Sequence, residues 1–114
     1  MSIAITTRRV EDVIVVEVKG RITLGEGSTA LREALRHLVK EGHKKILVDL
    51  GEACYVDSSG IGELIGGSTN IWNHGGQIKL CHLTKRVRDL LQLTNFYTVW
   101  RVFDDETEAV RSFE

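Results

Sequence analysis

Two kinds of hydrophobic periodicity divide this chain into alternating segments. Short apolar runs rich in β-branched residues occupy positions 13–18, 46–50 and 77–81, and they are typical of strands. Residues 3–7 alternate weakly and residues 98–103 are again apolar and aromatic, so both are further strand candidates. Between these runs, apolar residues recur three and four positions apart, which predicts amphipathic helices.

Four helices are predicted, one after each strand from the second onward. Polar residues suited to cap or open them are Ser28, Asp57 or Ser58, Thr84, and the pair Asp104 and Asp105. Gly42 is the expected stop of the first helix, which runs to about residue 41. Alternation after an opening hairpin predicts one α/β domain over residues 1–114, with four helices and a mixed, largely parallel sheet of about five strands.

Composition narrows the function classes. The 15 basic and 16 acidic side chains are interspersed and leave a formal charge of −1, so charge gives no support to a nucleic-acid or membrane partner. No apolar stretch approaches the roughly 18 residues of a membrane span, and the first residues lack a secretory pattern, which predicts a cytoplasmic protein. Cys54 and Cys81 are expected to be buried thiols of a reducing compartment.

The most informative segment is the D-S-S-G-I-G run at residues 57–62, where a buried strand is expected to turn into a helix. A hydroxyl at such a junction lies beside unpaired backbone N–H groups at the positive end of the helix dipole, a place that favours a phosphate. The simpler interpretation is that Asp57 or Ser58 only caps the helix. From spacing alone, Ser58 and Ser59 are equivalent candidates for a modified hydroxyl.

The helix that follows is unusually rich in glycine. Gly60, Gly62, Gly66 and Gly67 lie within it, and each costs about 1 kcal/mol relative to alanine. Four such costs in one element predict that another backbone, or a partner, approaches this helix closely.

The V-D-S-S-G-I-G run at residues 56–62, after a strand and opening a helix, resembles the signature of the STAS domain family of anti-sigma factor antagonists. The resemblance covers nearly the whole chain, including Gly20, the Gly75–Gly76 pair and the late leucine-rich segment. It implies a partner-switching protein without catalytic activity or cofactor. The unmodified domain would bind an anti-sigma factor that is also a serine kinase. ATP-dependent phosphorylation would release it, and a PP2C-type phosphatase would reset the cycle.

Carried onto this chain, the resemblance assigns a phosphorylation site and a binding surface. Ser58 would be the phosphoacceptor, and the residues around it would contact the partner: Asp57, Ser59, Gly60, Ile61 and Glu63. In the family an acidic residue often follows the glycine that ends the second strand. Here Gly20-Arg21-Ile22-Thr23 places Thr23 at that position, next to the phosphorylation loop.

Three alternatives remain open at the level of sequence. The domain could be a STAS scaffold that is not phosphorylated, or a regulatory binding module of a larger assembly. Residues 25–30 satisfy the dinucleotide pattern G-x-G-x-x-A, with Asp49 near the position of a ribose-binding acid. A hydrolytic serine is disfavoured because none of the four histidines is marked as a base, and no metal site is predicted. The histidines (His37, His43, His74 and His82) are expected on the surface, whereas the aromatic residues Trp72, Phe96, Tyr97 and Trp100 could form either a contact surface or core.

Overall fold

The computed structural model describes residues 3–114 and contains one five-stranded sheet in the order β1-β2-β3-β4-β5. The strands are β1 (Ala4–Val10), β2 (Val13–Ile22), β3 (Lys45–Val56), β4 (Gln77–Cys81) and β5 (Val102–Phe103). Only the β1–β2 hairpin is antiparallel, and the other three pairings are parallel. The predicted mixed, largely parallel sheet is confirmed. Residues 1 and 2, which the predicted domain includes, lie outside the described residues.

Four α-helices connect or follow these strands, as predicted. They are α1 (Glu26–Lys40), α2 (Ser58–Asn73), α3 (Lys85–Leu93) and α4 (Glu106–Arg111). The apolar faces of α1, α2 and α3 cover one side of the sheet, and α4 covers part of the other. Within residues 3–114, no helix has the length and apolar character that crossing a membrane requires.

The sheet therefore separates two cores, because successive strand residues point to opposite faces. Val16, Val48 and Leu80 face the larger core beneath α1, α2 and α3. Leu47 and Cys81 face the smaller core, which is closed by Ala109 and Val110 of α4 and by Phe113 just after the helix. The inward placement predicted for Ala109, Val110 and Phe113 is confirmed, although the helix ends before Phe113.

The start of α1 differs from the prediction. Gly25, with φ 98°, is the N-cap residue, and Ser28 lies inside the first turn, where its backbone N–H donates to the carbonyl of Thr23 at 2.9 Å. The helix begins earlier because glycine can take the left-handed conformation that turns the chain sharply out of β2. The prediction of Ser28 as N-cap was wrong, whereas Gly42, with φ 83°, does follow the end of the helix.

The last predicted strand is much shorter than expected. Tyr97–Val99 forms a 3-10 turn, and only Val102–Phe103 pairs with β4. Trp100 turns into the larger core, where its indole N–H donates to the buried Ser68 hydroxyl at 2.7 Å. Of the aromatic candidates, Trp100 is core and Tyr97 is half-buried, while Trp72 and Phe96 are exposed.

The second half of β3 also departs from simple alternation. Glu17 pairs with Asp49 but Lys19 pairs with Glu52, so β3 has one residue more than β2, and a second such shift follows at Gly20 and Arg21. Each extra residue changes which face the following side chains occupy.

Cys81 is buried as predicted, and burial, together with the negative charge of Asp49, raises the pKa of its thiol to about 12. Cys54, beyond the first shift, is exposed, and its predicted burial was wrong.

Candidate functional site

The Asp57 carboxylate joins two loops at the amino end of α2. One oxygen, Oδ1, accepts the backbone N–H of Gly60 at 3.0 Å, which makes Asp57 the N-cap of the helix. The other, Oδ2, accepts the backbone N–H of Leu24 at 3.0 Å. The backbone N–H of Asp57 in turn donates to the carbonyl of Ile22 at 3.2 Å. The loop between β2 and α1 is therefore held against the start of α2.

These contacts also control the charge of the site. Partial desolvation acts to raise the pKa of Asp57, but the backbone N–H groups of Gly60, Leu24 and Ser59 outweigh it, and the pKa lies below its usual value. Hydrogen bonds to the charged form of a carboxyl stabilise that form. A negative charge is thus fixed beside the first turn of α2 at neutral pH.

Ser58 is the first residue of α2 and is exposed, whereas Ser59 is half-buried. Because Asp57 provides the cap, the Ser58 side chain is not needed to begin the helix. The spacing of residues in the sequence did not distinguish the hydroxyls of Ser58 and Ser59, but their exposure does. Ser58 is the one more accessible to another protein.

Gly60 and Ile61 point inward, although both belong to the predicted binding surface. A Cβ atom on Gly60 would lie 2.4 Å from the Ile22 carbonyl oxygen, so the start of α2 packs directly on the end of β2. Ile61 is only 4% exposed and belongs to the larger core. These two residues pack the start of α2 against the rest of the domain. Neither one offers a side chain that a partner protein could contact from outside.

The remaining glycines of α2 divide in the same way. A Cβ on Gly67 would meet Leu35 Cδ1 at 2.4 Å, which accounts for glycine there by close packing of α1 on α2. At Gly62 and Gly66 a Cβ would meet nothing within 4 Å. The close approach predicted for this helix therefore comes from within the domain at Gly60 and Gly67. Close packing within the domain does not explain why glycine occurs at Gly62 and Gly66.

The other predicted residues lie around the start of α2. Thr23 is half-buried in the loop that Asp57 holds, so it is close to the amino end of α2, as the family pattern implied for the acid at that position. Glu63 is half-buried and pairs with Arg32 of α1 at 3.2 Å. Sequence reasoning did not single out Leu24, whose side chain is 80% exposed beside this site. An apolar residue directly before a turn glycine was the available signal.

The residues of the dinucleotide pattern do not form a nucleotide site. A Cβ on Gly27 would lie 2.3 Å from the Arg21 carbonyl oxygen, so this glycine is required for the packing of α1 on β2. Asp49 is the register partner of Cys81 and shares the α4 side of the sheet with Leu47, away from α1. Its carboxylate contacts His82 instead, at 3.2 Å, and the His82 side chain is 38% exposed, so His82 lies at the surface and is also paired.

Comparison with known proteins now adds to this geometry. A model of the STAS domain matches residues 4–109. The chain belongs to the STAS domain family. The anti-sigma-B factor antagonist of Bacillus subtilis is 30% identical over 94 residues, which are 82% of this chain and 84% of that protein.

Solved structures agree with the fold. An anti-sigma factor antagonist from Mycobacterium paratuberculosis superimposes with a TM-score of 0.86 at 20% identity, covering 97% of this chain and 93% of the other. The Bacillus cell fate determinant SpoIIAA in its phosphorylated form gives a TM-score of 0.75 at 18% identity, covering 97% and 100%. At these identities the likeness establishes the STAS fold.

Proposed function

We propose that this STAS domain is an anti-sigma factor antagonist that is switched by phosphorylation of Ser58. In its unmodified form it binds an anti-sigma factor with serine kinase activity, and so releases a sigma factor. The observation that carries the proposal is the exposed hydroxyl of Ser58 at the amino end of a helix that Asp57 already caps. The names of the Bacillus subtilis relative and of phosphorylated SpoIIAA support the same class of function.

The electrostatics of the site suit a switch that changes affinity and leaves the fold intact. A phosphate on Ser58 adds about −1.5 to −2 charges at pH 7. The helix dipole tolerates that charge at the amino end of α2, and the cap hydrogen bond belongs to Asp57 and is not disturbed. At a desolvated interface, the same charge beside the ionised Asp57 is strongly unfavourable. Phosphorylation is therefore expected to weaken binding without unfolding.

The binding surface includes residues that the domain itself does not explain. Ser58, Gly62 and Gly66 are each four positions apart, so they line one exposed face of α2. The two glycines cost about 1 kcal/mol each and gain no packing inside the domain. A partner that brings its backbone against this face would account for both. Leu24 supplies an exposed apolar contact at the end of the face.

The direct test is phosphorylation followed by intact mass measurement. The protein is incubated with ATP and an anti-sigma factor that has serine kinase activity. Wild type and Ser59→Ala are expected to gain the mass of one phosphate, and Ser58→Ala none. A PP2C-type phosphatase should then remove it. Incorporation into Ser58→Ala, or loss of incorporation only in Ser59→Ala, would place the modification elsewhere.

Binding provides the second measurement. Ser58→Asp is expected to bind the anti-sigma factor at least tenfold more weakly than wild type, with an unchanged circular dichroism spectrum. Equal affinity of the two proteins would contradict the proposed switch.

A scaffold that binds without being phosphorylated is the second candidate. The uncharged Thr23 beside the site favours it, because the family pattern has an acid there. An unmodified mass in the presence of a kinase active on another substrate, together with tight binding, would support the scaffold and reject the switch.

A further inference from the structure

The α4 side of the sheet brings together three side chains that are distant in sequence. Asp49 of β3 and Cys81 of β4 are direct partners in the parallel register, and His82 follows Cys81. One carboxylate oxygen, one thiol sulfur and one imidazole nitrogen lie within 4.8 Å of one another. This is a mixed set of oxygen, sulfur and nitrogen donors. Such a set is typical of zinc and unlike the all-oxygen sites of calcium or magnesium.

We propose that Asp49, Cys81 and His82 form a binding site for a divalent transition-metal ion of the zinc class, with water as the fourth ligand. The site is separate from the Ser58 surface, because it lies on the opposite face of the sheet.

The distances fit a single ion. His82 Nδ1 lies 3.2 Å from Asp49 Oδ2 and 3.8 Å from Cys81 Sγ. Tetrahedral zinc with ordinary bond lengths separates such ligand atoms by about 3.3–3.6 Å. Both of these distances are within a few tenths of an ångström of that range, and the ligand atoms of Asp49 and Cys81 lie within 4.8 Å of each other. Small rotations of side chains that already converge would complete the geometry.

The backbone at His82 is arranged for this convergence. Adjacent residues of a strand point to opposite faces, so Cys81 and His82 would ordinarily be kept apart. His82 instead has φ 59°, in the left-handed region, and its imidazole comes to the side of Cys81. Its backbone N–H still donates to the carbonyl of Phe103 at 3.1 Å. The imidazole is thus redirected without loss of sheet pairing.

The carboxylate is oriented as a ligand. Asp49 Oδ1 accepts the backbone N–H of Gly51 at 2.9 Å, which leaves Oδ2 directed toward His82. A Cβ on Gly51 would lie 3.1 Å from His82 Cβ and 3.2 Å from Asp49 Oδ1, so glycine provides the room for this pair. Hydrogen bonds of this kind, one shell beyond the ion, fix the orientation of metal ligands.

The surroundings of the site are negative. Carboxylate oxygens of Glu17 and Glu106 lie within 4.8 Å of that of Asp49, and Arg8 pairs with both glutamates, at 3.0 Å in the case of Glu17. The three carboxylates of Asp49, Glu17 and Glu106 therefore lie near a single guanidinium, that of Arg8, which leaves an excess of negative charge. A divalent cation would offset this excess, and its binding would displace the thiol proton of Cys81 to solvent.

Cobalt substitution of the full chain tests the proposal directly. After removal of metals with a chelator, Co²⁺ is titrated into the protein. Wild type is expected to bind one equivalent and to develop a near-ultraviolet thiolate-to-cobalt charge-transfer band. Zn²⁺ should remove that band by competition and raise the melting temperature, because it binds the folded state.

Matched variants assign the ligands. Cys81→Ser and His82→Asn are expected to lose the band and to weaken Co²⁺ binding at least tenfold. Cys54→Ser and His37→Asn, which remove an exposed thiol and an exposed imidazole, should behave like wild type. His82→Asn is the decisive variant if Cys81→Ser fails to fold, because asparagine tolerates the left-handed backbone.

Three results would overturn the site. They are the absence of a charge-transfer band in wild type, its persistence in Cys81→Ser or His82→Asn, and its loss in Cys54→Ser. In any of these cases Asp49 and His82 form an ordinary side-chain contact, and the proposed role of Ser58 is unaffected.

Discussion

The two faces of the sheet are stabilised in different ways. Three helices cover one face, and its core is almost entirely apolar. Within residues 3–114, α4 is the one helix on the other face; it has six residues, and polar contacts supplement the small core beneath it. The buried Lys79 ammonium donates to the carbonyl and hydroxyl oxygens of Ser112, at 2.8 and 2.9 Å. Apolar packing therefore holds the first face together, and Ser58 lies at the end of a helix that belongs to it. The second face holds its terminal helix by specific charged groups.

Truncation in the larger core should have the largest effect. Leu35 is fully buried and contacts α2 at Gly67. Leu35→Ala is expected to lower the free energy of unfolding by about 2–5 kcal/mol, because it removes apolar contacts and leaves a cavity. Urea denaturation followed by circular dichroism measures this. Leu24→Ala, the same change at an exposed position, should stay within about 0.5 kcal/mol of wild type. Similar losses in both variants would contradict the assignment of Leu24 to a binding surface.

The α4 face should depend on the Lys79 ammonium. Burial, and to a lesser extent the positive charge of Arg101, lowers the pKa of this lysine, yet its donors remain paired with Ser112. Lys79→Met is expected to cost about 1.5–3 kcal/mol, the range for hydrogen bonds to charged groups. Hydrogen exchange should accelerate first in α4. Uniform acceleration throughout the sheet would show that the two faces do not differ in this way.

Substitution of two glycines of α2 tests packing and binding separately within one helix. Gly60→Ala is expected to destabilise the domain by about 1–3 kcal/mol, because the added methyl collides with the carbonyl of Ile22. Gly62→Ala should instead stabilise it by up to about 1 kcal/mol, since its methyl meets open space in a helix. If Gly62 lies at the interface, the stabilised variant binds the anti-sigma factor more weakly. Unchanged affinity would remove Gly62 from the binding surface.

The smallest expected effect concerns the charge of Asp57. Asparagine caps helices about as well as aspartate, but it has a single side-chain oxygen, so Asp57→Asn keeps the cap to Gly60 and loses both the charge and the hydrogen bond from Leu24. At neutral pH the loss should be about 1–2 kcal/mol, the sum of the interaction of a charge with a helix end and one exposed hydrogen bond.

The pH dependence of that variant has a definite sign. The folded-state pKa of Asp57 is below its usual value of 3.8, so its contribution is complete above that value. It is lost as the pH falls through the lower, folded-state pKa. Unfolding curves of wild type and Asp57→Asn should therefore converge in acid. A difference that grows below pH 4 would contradict the stabilisation of the carboxylate.

Much of the fold could be predicted because its signals are local. The β-branched runs, the caps Asp57, Thr84 and Asp105, and the stop at Gly42 act over a few residues, and the structure has each of them in its predicted role. Apart from the start of α1, where the conformation of Gly25 decides, the failures occurred where distant contacts decide. The 98–103 segment reads as a strand, but burial of Trp100 against Ser68 turns most of it away from the sheet.

The residue types of the candidate site could be predicted from the sequence, but which of their side chains face outward could not. The D-S-S-G run located the candidate hydroxyl of Ser58 at the end of a strand, whereas the inward direction of Ile61 and the exposure of Leu24 depend on how α2 packs on β2.

The sequence by itself determined the alternating order of strands and helices. It also determined that a serine stands between a strand and a glycine-rich helix, next to the aspartate that caps this helix. What only the tertiary structure decided was which distant residues meet. Asp49 and His82 are 33 positions apart, and their contact depends on the parallel register of β3 with β4 and on the left-handed turn at His82. Periodicity along a chain specifies which face is apolar, but pairing between strands comes from the register, which is set by the packing of the whole domain.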